Sequence, residues 1–190
     1  MIAEALFPGY SIANNEISDL GANCIKVAHF MPGGSCIIEQ PSATIFDSSL
    51  FLAGVLVVVG AYLLTRASGK KVLPILLFIA GVGAGGVGLF PENTGLFHII
   101  FASIAFVFFG LSAIASYRTI TSPLRYISLV LGATTLVSLF LFISGIELGL
   151  GLGGIERMIT YPAIIWGMGF GGYLMNSPTT LRVPASTVTS

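Results

Sequence analysis

Asp19, Asp47 and His98 are the side chains of this sequence best suited to chemistry. Carboxylates near an imidazole can act as a general acid and base, and with His29 they could bind a divalent metal. A hydrolytic zinc site built from three histidines needs one more than the two histidines in the chain. We therefore predict no metal and no cofactor, and we keep catalysis by these three residues as a weaker alternative.

His98 is the histidine expected at membrane depth, about one turn into a predicted helix. Ionisable groups in that position are costly, so they mark candidate functional sites by default. The structural alternative is an imidazole that forms a hydrogen bond near the helix end. Both interpretations stay open at this point.

Asp19 lies in the stretch Ile-Ser-Asp-Leu-Gly, where its carboxylate can cap a backbone turn. Alternatively, Asp19 or Glu156 pairs with Arg157, because a lone guanidinium close to lipid is costly. We expect structural pairing rather than catalysis. The residues expected to serve structure or binding on this outer face are Asn15, Ser18, Asp19, Glu156, Arg157 and Tyr161.

Cys24 and Cys36 are the two cysteines of the chain. Both lie in the segment that we place outside the cell, where an even count predicts a disulfide. A pair of free thiols or metal ligands is the alternative, but the spacing does not fit a zinc motif.

The composition predicts an all-α, multi-pass transmembrane helix bundle. The chain is 55% hydrophobic and 8% charged, whereas soluble domains carry about 25% charged residues. A net charge of zero without a basic stripe argues against nucleic-acid binding. Apolar runs predict five full spans at residues 48–65, 72–90, 95–117, 126–146 and 158–175. Pro162 should kink the fifth.

Basic residues set the predicted orientation in a cell membrane. Six of the eight fall on one side, which we assign to the cytoplasm: Arg66, Lys70, Lys71, Arg118, Arg125 and Arg182. Lys26 and Arg157 fall on the other side with every carboxylate. The expected division is an outer N-terminal segment 1–46, of which residues 10–46 are extracellular, a helix bundle 47–175 and a polar cytoplasmic tail 176–190. Residues 1–11 suit the end of a first helix that begins upstream, or alternatively part of an outer segment.

Glycines at helical spacing predict close helix packing. Gly81, Gly85 and Gly88 share a face of the second span, and Gly167 and Gly171 share a face of the fifth. We favour packing within the bundle over packing against a partner subunit. The stretch 149–154 formally fits a phosphate-binding glycine motif, but no strand precedes it, so we predict a flexible connection instead.

Several short motifs, in order, resemble an uncharacterised prokaryotic membrane-protein family catalogued as "domain of unknown function 998". The motifs are Tyr10-Ser11, Asn15, Ile17-Ser18-Asp19-Leu20-Gly21, Ile45-Phe46-Asp47, Phe90-Pro91, Gly95, His98, Gly154, Glu156-Arg157, Tyr161-Pro162, Trp166 and Gly169. The resemblance implies six helices, the first ending just before Pro8, so a truncated first helix is expected here. The early motifs also resemble, more distantly, DRAM-like membrane proteins (damage-regulated autophagy modulators). Neither family implies a reaction.

Three functions remain open from the sequence. We favour an accessory subunit or a lipid- or small-molecule-binding membrane protein with a functional outer face. The alternatives are a membrane-embedded hydrolase acting on lipids or envelope precursors, and a small transporter. The expected partners are membrane lipids and a membrane-protein partner or second copy of the chain, with no nucleic acid.

Overall fold

Long helices dominate the chain and confirm the predicted transmembrane bundle. The structure, a computed structural model, describes residues 2–28 and 31–176. His29, Arg182 and the predicted tail beyond residue 176 lie outside these residues. The α-helices of the described part are α1 Ile2–Leu6, α2 Ser42–Ser68, α3 Val72–Leu89, α4 Leu96–Ser116, α5 Leu124–Ile143 and α6 Gly151–Met175.

Four of these helices, α2 to α5, are long and apolar enough to cross a membrane. They have 18 to 27 residues, which corresponds to about 27 to 40 Å of helix for a hydrocarbon layer about 30 Å thick. They correspond to the first four predicted spans. The fifth predicted span is helical and forms most of α6, but α6 is not among the four. Glycine, tyrosine, proline and tryptophan dilute the apolar side chains of that helix.

Consecutive long helices pack as neighbours, and α6 also contacts α4. Because the connections are short, α2, α4 and α6 begin at the end of the bundle where α3 and α5 finish. We call this the acidic end, since every aspartate and glutamate of the chain lies there: Glu4, Glu16, Asp19, Glu39, Asp47, Glu92, Glu147 and Glu156. The opposite, basic end carries Arg66, Lys70, Lys71, Arg118 and Arg125.

Small residues let α2 and α3 approach each other closely. A Cβ added to Gly81 would lie 2.9 Å from the carbonyl oxygen of Gly54, and the Cα of Gly54 is also the nearest neighbour of Gly85. Gly88 packs against the backbone of Asp47 in the same way. Gly54 was not among the predicted packing residues. The other glycine of its helix, Gly60, is six positions away and does not lie on the same face.

Gly167 and Gly171 of α6 do not behave as predicted. A Cβ added at either position would meet no atom within 4 Å among the described residues. The expected packing of these two glycines inside the bundle is therefore wrong. The buried side of α6 is formed instead by large side chains, above all Trp166, whose Nε1 donates a hydrogen bond to Ser116 Oγ at 3.1 Å.

The N-terminal segment contains a short sheet that the sequence analysis did not predict. Strands β1 (Asn23–Ala28) and β2 (Met31–Ile37) pair in antiparallel register, with Cys24 opposite Cys36. A disulfide joins these two cysteines, which confirms the predicted bond. A separate small core of Ala3, Ile17, Leu20 and Phe46 seats the segment on the start of α2.

Candidate functional site

Lys26 of β1 is surrounded by carboxylates at the acidic end. Its Nζ lies 2.5 Å from Glu16 Oε1 and 3.0 Å from Glu92 Oε1. A third carboxylate, that of Asp19, approaches to 3.4 Å through Oδ1. The three carboxylate side chains are at most 7% exposed. Poorly solvated charges are stable only when they are paired, and Lys26 supplies the positive charge that pairs with these carboxylates.

One ammonium group cannot neutralise three carboxylates, so the pKa values of two of the carboxyl groups, Glu16 and Glu92, are raised. Desolvation would lower the pKa of Lys26, but the surrounding carboxylates outweigh it and raise that pKa above its usual range. Burial raises the pKa of Glu92 to about 8, and Lys26 offsets only part of the effect. Burial likewise raises the pKa of Glu16. At neutral pH Glu92 is therefore mostly a neutral carboxylic acid.

Asp19 stabilises the turn in which it lies. Its Oδ2 accepts hydrogen bonds from the backbone N–H of Glu16 and from Asn15 Nδ2, both at 3.0 Å. Residues Ser18–Leu20 form a single 3-10 turn around it. These bonds and the pair with Lys26 occupy the carboxylate locally. Of the two roles predicted for Asp19, the structure supports turn capping.

Arg157, near the start of α6, fastens the N-terminal segment to the bundle. Its Nη2 donates to Glu4 Oε1 at 3.0 Å and to Tyr10 Oη at 2.7 Å. Its Nη1 donates to three backbone carbonyl oxygens at 2.8 to 3.0 Å, those of Ile12, Asn15 and Gly153. One guanidinium of α6 thus binds four residues of the N-terminal segment: Glu4, Tyr10, Ile12 and Asn15.

We predicted that Arg157 pairs with Asp19 or with Glu156, and this prediction is wrong. The carboxylate partner is Glu4, 153 residues earlier in the chain. Asp19 is held by its own turn, and side chains at adjacent helix positions diverge by about 100°, so Glu156 points elsewhere. Glu156 accepts a hydrogen bond from the backbone N–H of Ile17 instead. Two consecutive residues of α6 therefore hold different parts of the same segment.

The glycine-rich stretch 149–154 is not the flexible connection that we expected. From Gly151 onward it is the first turn of α6. The N–H of Gly153 donates to the carbonyl oxygen of Ala13 at 3.1 Å, and side chains at Gly151 or Gly153 would collide with the backbone of residues 13 and 15. Glycine is required here because the N-terminal backbone lies directly on the helix.

His98 forms a hydrogen bond near the end of its helix, as the structural alternative predicted. It lies in the first turn of α4, is 7% exposed, and its Nδ1 is 2.9 Å from the carbonyl oxygen of Phe90. Asp47 lies in α2, packed beside Gly21, and its buried Oδ1 has no hydrogen-bond partner among the described residues. No hydrogen bond within the described residues joins His98 to Asp19 or Asp47.

A cavity of about 120 Å³ opens beside the carboxylate cluster, between α4 and α5. Its polar wall is formed by Glu16, Ser18, Glu92, His98 and Glu156. Its apolar wall is formed by Ile99, Ala102, Ser103 and Phe106 of α4 and by Leu139, Phe142 and Ile143 of α5. The cavity is thus polar on one side and mostly apolar on the other.

The cavity brings together only some of the predicted site residues. Ser18, His98 and Glu156 line it, whereas Asp19 and Asn15 support the turn next to it. Asp47, Arg157 and Tyr161 do not line it, and Tyr161 is 39% exposed. The hydrolase hypothesis required one cavity shared by Asp19, Asp47 and His98, and of these three only His98 lines this cavity.

The sequence analysis missed Lys26, Glu16 and Glu92 as site residues. A signal was present for Lys26, since it is one of two basic residues on a side that carries every carboxylate. A single cation among many buried anions is expected to attract several of them. Glu16 and Glu92 could not be singled out from the other acidic residues without knowing which β-strand reaches the start of α4.

The described residues contain no group of three or more histidine, cysteine, aspartate or glutamate side chains placed to hold a metal ion. His29, which entered the metal alternative, lies outside the described residues.

The chain matches one known protein family over most of its length. The sequence model of one family, described as "Protein of unknown function (DUF998)", matches residues 1–172. Neither the curated proteins nor the solved structures give a match to the chain. The resemblance to DRAM-like proteins stays a prediction. Since the match covers almost the whole chain, this multi-pass membrane protein belongs to the family of proteins of unknown function DUF998.

Proposed function

We propose that the protein binds a small amphiphile, a lipid or lipid-like molecule, in the cavity between α4 and α5. The observation that carries the proposal is the two-sided lining, with three glutamates and a histidine on one wall and side chains such as Phe106 and Leu139 on the other. An amphiphile places a polar group and a hydrocarbon chain at such a boundary.

The polar wall indicates the chemistry of the head group. Glu16, Glu92 and Glu156 line the cavity, and Lys26 is the cation paired with the first two. Glu92 Oε2 is buried without a hydrogen-bond partner in the described part of the chain. Such a wall favours a head group rich in N–H or O–H donors, above all a protonated amine.

The proposed orientation puts this cavity on the extracellular side of a cell membrane. The excess of arginine and lysine at the basic end supports a cytoplasmic position for that end. The Cys24–Cys36 disulfide supports an oxidising compartment for the acidic end. In this arrangement α6 also crosses the membrane, residues 1–46 cover the bundle outside, residues 47–175 form the bundle, and the tail 176–190 is cytoplasmic.

The test compares binding of a fluorescent long-chain amine with binding of the matched fatty acid to the purified protein in detergent. We expect the amine to bind at least about tenfold more tightly, as one charge-assisted contact in a poorly solvated site implies. Ala102→Phe fills the cavity and should abolish amine binding. Ile100→Phe adds the same ring to the lipid-facing side of α4, where Ile100 is 44% exposed, and should leave binding unchanged.

Glu156→Gln keeps the acceptor for the N–H of Ile17 and removes the carboxyl group that could give its proton to the amine, so it should lower the preference for the amine. Equal binding of amine and fatty acid would contradict the head-group assignment. Unchanged amine binding in Ala102→Phe would contradict the cavity itself.

A further inference from the structure

A second cavity lies at the basic end, far from the carboxylate cluster. It has a volume of about 720 Å³ and opens between the start of α3, the end of α4 and α5. Its lining residues are Lys70, Lys71, Val72, Leu73, Ile114, Ala115, Tyr117, Arg118, Thr119 and Leu129. Three of them are cations and none is a carboxylate, so the cavity carries an uncompensated positive charge.

These cations are free to bind a ligand. Lys70, Lys71 and Arg118 are exposed, and within residues 2–28 and 31–176 no ion pair joins them to a carboxylate. Every aspartate and glutamate lies at the opposite end of the bundle. Neutralisation of this end therefore has to come from outside the described chain.

The backbone adds donors of the same kind. Lys71 precedes α3 and forms no side-chain cap, and the first intrahelical bond there is that from Ile75 N–H to the Lys71 carbonyl oxygen. The N–H groups of Val72 and Leu73, which line the cavity, therefore lack an intrahelical acceptor. Amide groups at a helix start favour anions, and phosphate in particular.

The rest of the lining fits the region where a lipid head group meets its acyl chains. Ile114, Ala115 and Leu129 form an apolar wall, and Leu129 is 40% exposed on the lipid-facing side of α5. Tyr117 is fixed at the rim by Arg125, whose guanidinium stacks 4.2 Å from the ring centre. Basic cavities between transmembrane helices are sites for anionic lipid head groups.

We propose that this basic cavity binds a phosphate group, carried by an anionic phospholipid whose acyl chains lie along α4 and α5. Lys70, Lys71 and Arg118 supply the charge, and the start of α3 supplies backbone donors. This site is separate from the amphiphile cavity at the acidic end, and its ligand has the opposite charge.

The test uses the full chain in nanodiscs made of phosphatidylcholine with a minor fraction of phosphatidylglycerol, followed by native mass spectrometry of the retained lipid. We expect the wild type to retain phosphatidylglycerol preferentially. Lys71→Gln and Arg118→Gln should each reduce that preference about fivefold. Arg66→Gln removes the same charge at the same end of the bundle but outside the cavity, so it should leave the preference intact.

Ala115→Phe serves as a second variant, because it fills the cavity without changing the charge, and it should also reduce phosphatidylglycerol retention. An equal loss in Arg66→Gln would show that surface charge alone selects the lipid and would overturn the proposal. Retention unaffected by all three cavity variants would overturn it as well.

Inorganic phosphate distinguishes the two sources of the phosphate group. If excess phosphate leaves retention unchanged, the lipid is the ligand. Displacement of the lipid by phosphate, lost in Lys71→Gln, would retain the site and assign it to a free phosphate compound.

Discussion

The two ends of the bundle carry their charges in opposite ways. At the acidic end, Lys26 is half-buried and Arg157 is buried, each among partners, and the chain folds a sheet and a turn over them. At the basic end, Lys70, Lys71 and Arg118 are exposed and face a cavity without a carboxylate. The difference indicates that charge at the acidic end stabilises the protein itself, whereas charge at the basic end is available to a ligand.

Removing Arg157 should produce the largest difference between the ends. Arg157→Met removes the guanidinium that donates to Glu4 and to the carbonyl oxygens of Ile12 and Asn15, and breaking a buried pair in this way costs about 3 to 5 kcal/mol. The matched control, Arg66→Met at the basic end, should change stability by less than about 0.5 kcal/mol. Thermal unfolding of both variants in detergent measures the contrast, and similar losses would remove the distinction between the ends.

Opening the disulfide should have the next largest effect. Cys24 and Cys36 are 12 residues apart, and closing a loop of that size is worth about 3 kcal/mol in the chain-entropy account. We expect the double variant Cys24→Ser/Cys36→Ser to unfold its N-terminal segment first. Hydrogen exchange should then rise in residues 2–28 and stay unchanged in the turn 66–71 at the basic end. A uniform rise along the chain would contradict this localisation.

Within any one pH unit, the change in stability caused by Glu92 should be smaller than either effect above, and it should be confined to the acidic end. Burial raises its pKa from 4.5 to about 8, so the folded protein binds more protons than the unfolded chain between those values. Its contribution to stability is present below pH 4.5 and is lost as the pH rises towards 8, by up to about 1.4 kcal/mol per pH unit. Glu92→Gln should flatten this part of the stability profile, and Glu147→Gln, outside the cavity, should not.

The sequence predicted the helices and the disulfide because those features depend on local composition. Long apolar runs specify α2 to α5, and two cysteines allow one bond. The partner of Arg157 depends on a contact between residues 153 positions apart, which one sequence does not reveal. The same limit applies to Glu92, whose role arises only when β1 brings Lys26 to it.

Glycine spacing predicted packing only where a second helix supplied a matching surface. Gly81 and Gly88 meet the backbone of α2 because Gly54 and the start of that helix leave room. Gly167 has the same spacing pattern with Gly171 but no helix opposite it among the described residues. A pattern on one helix predicts a smooth face, and the identity of the neighbour has to come from three-dimensional structure.

The anchoring of the N-terminal segment by Arg157 has a consequence for biogenesis. Residues 2–28 are synthesised before α6, so their guanidinium anchor emerges only after the four helices α2 to α5 have been made. During that interval the segment is not docked on α6, and its Cys24–Cys36 disulfide can already form. Docking of this segment therefore has to follow synthesis of the rest of the bundle.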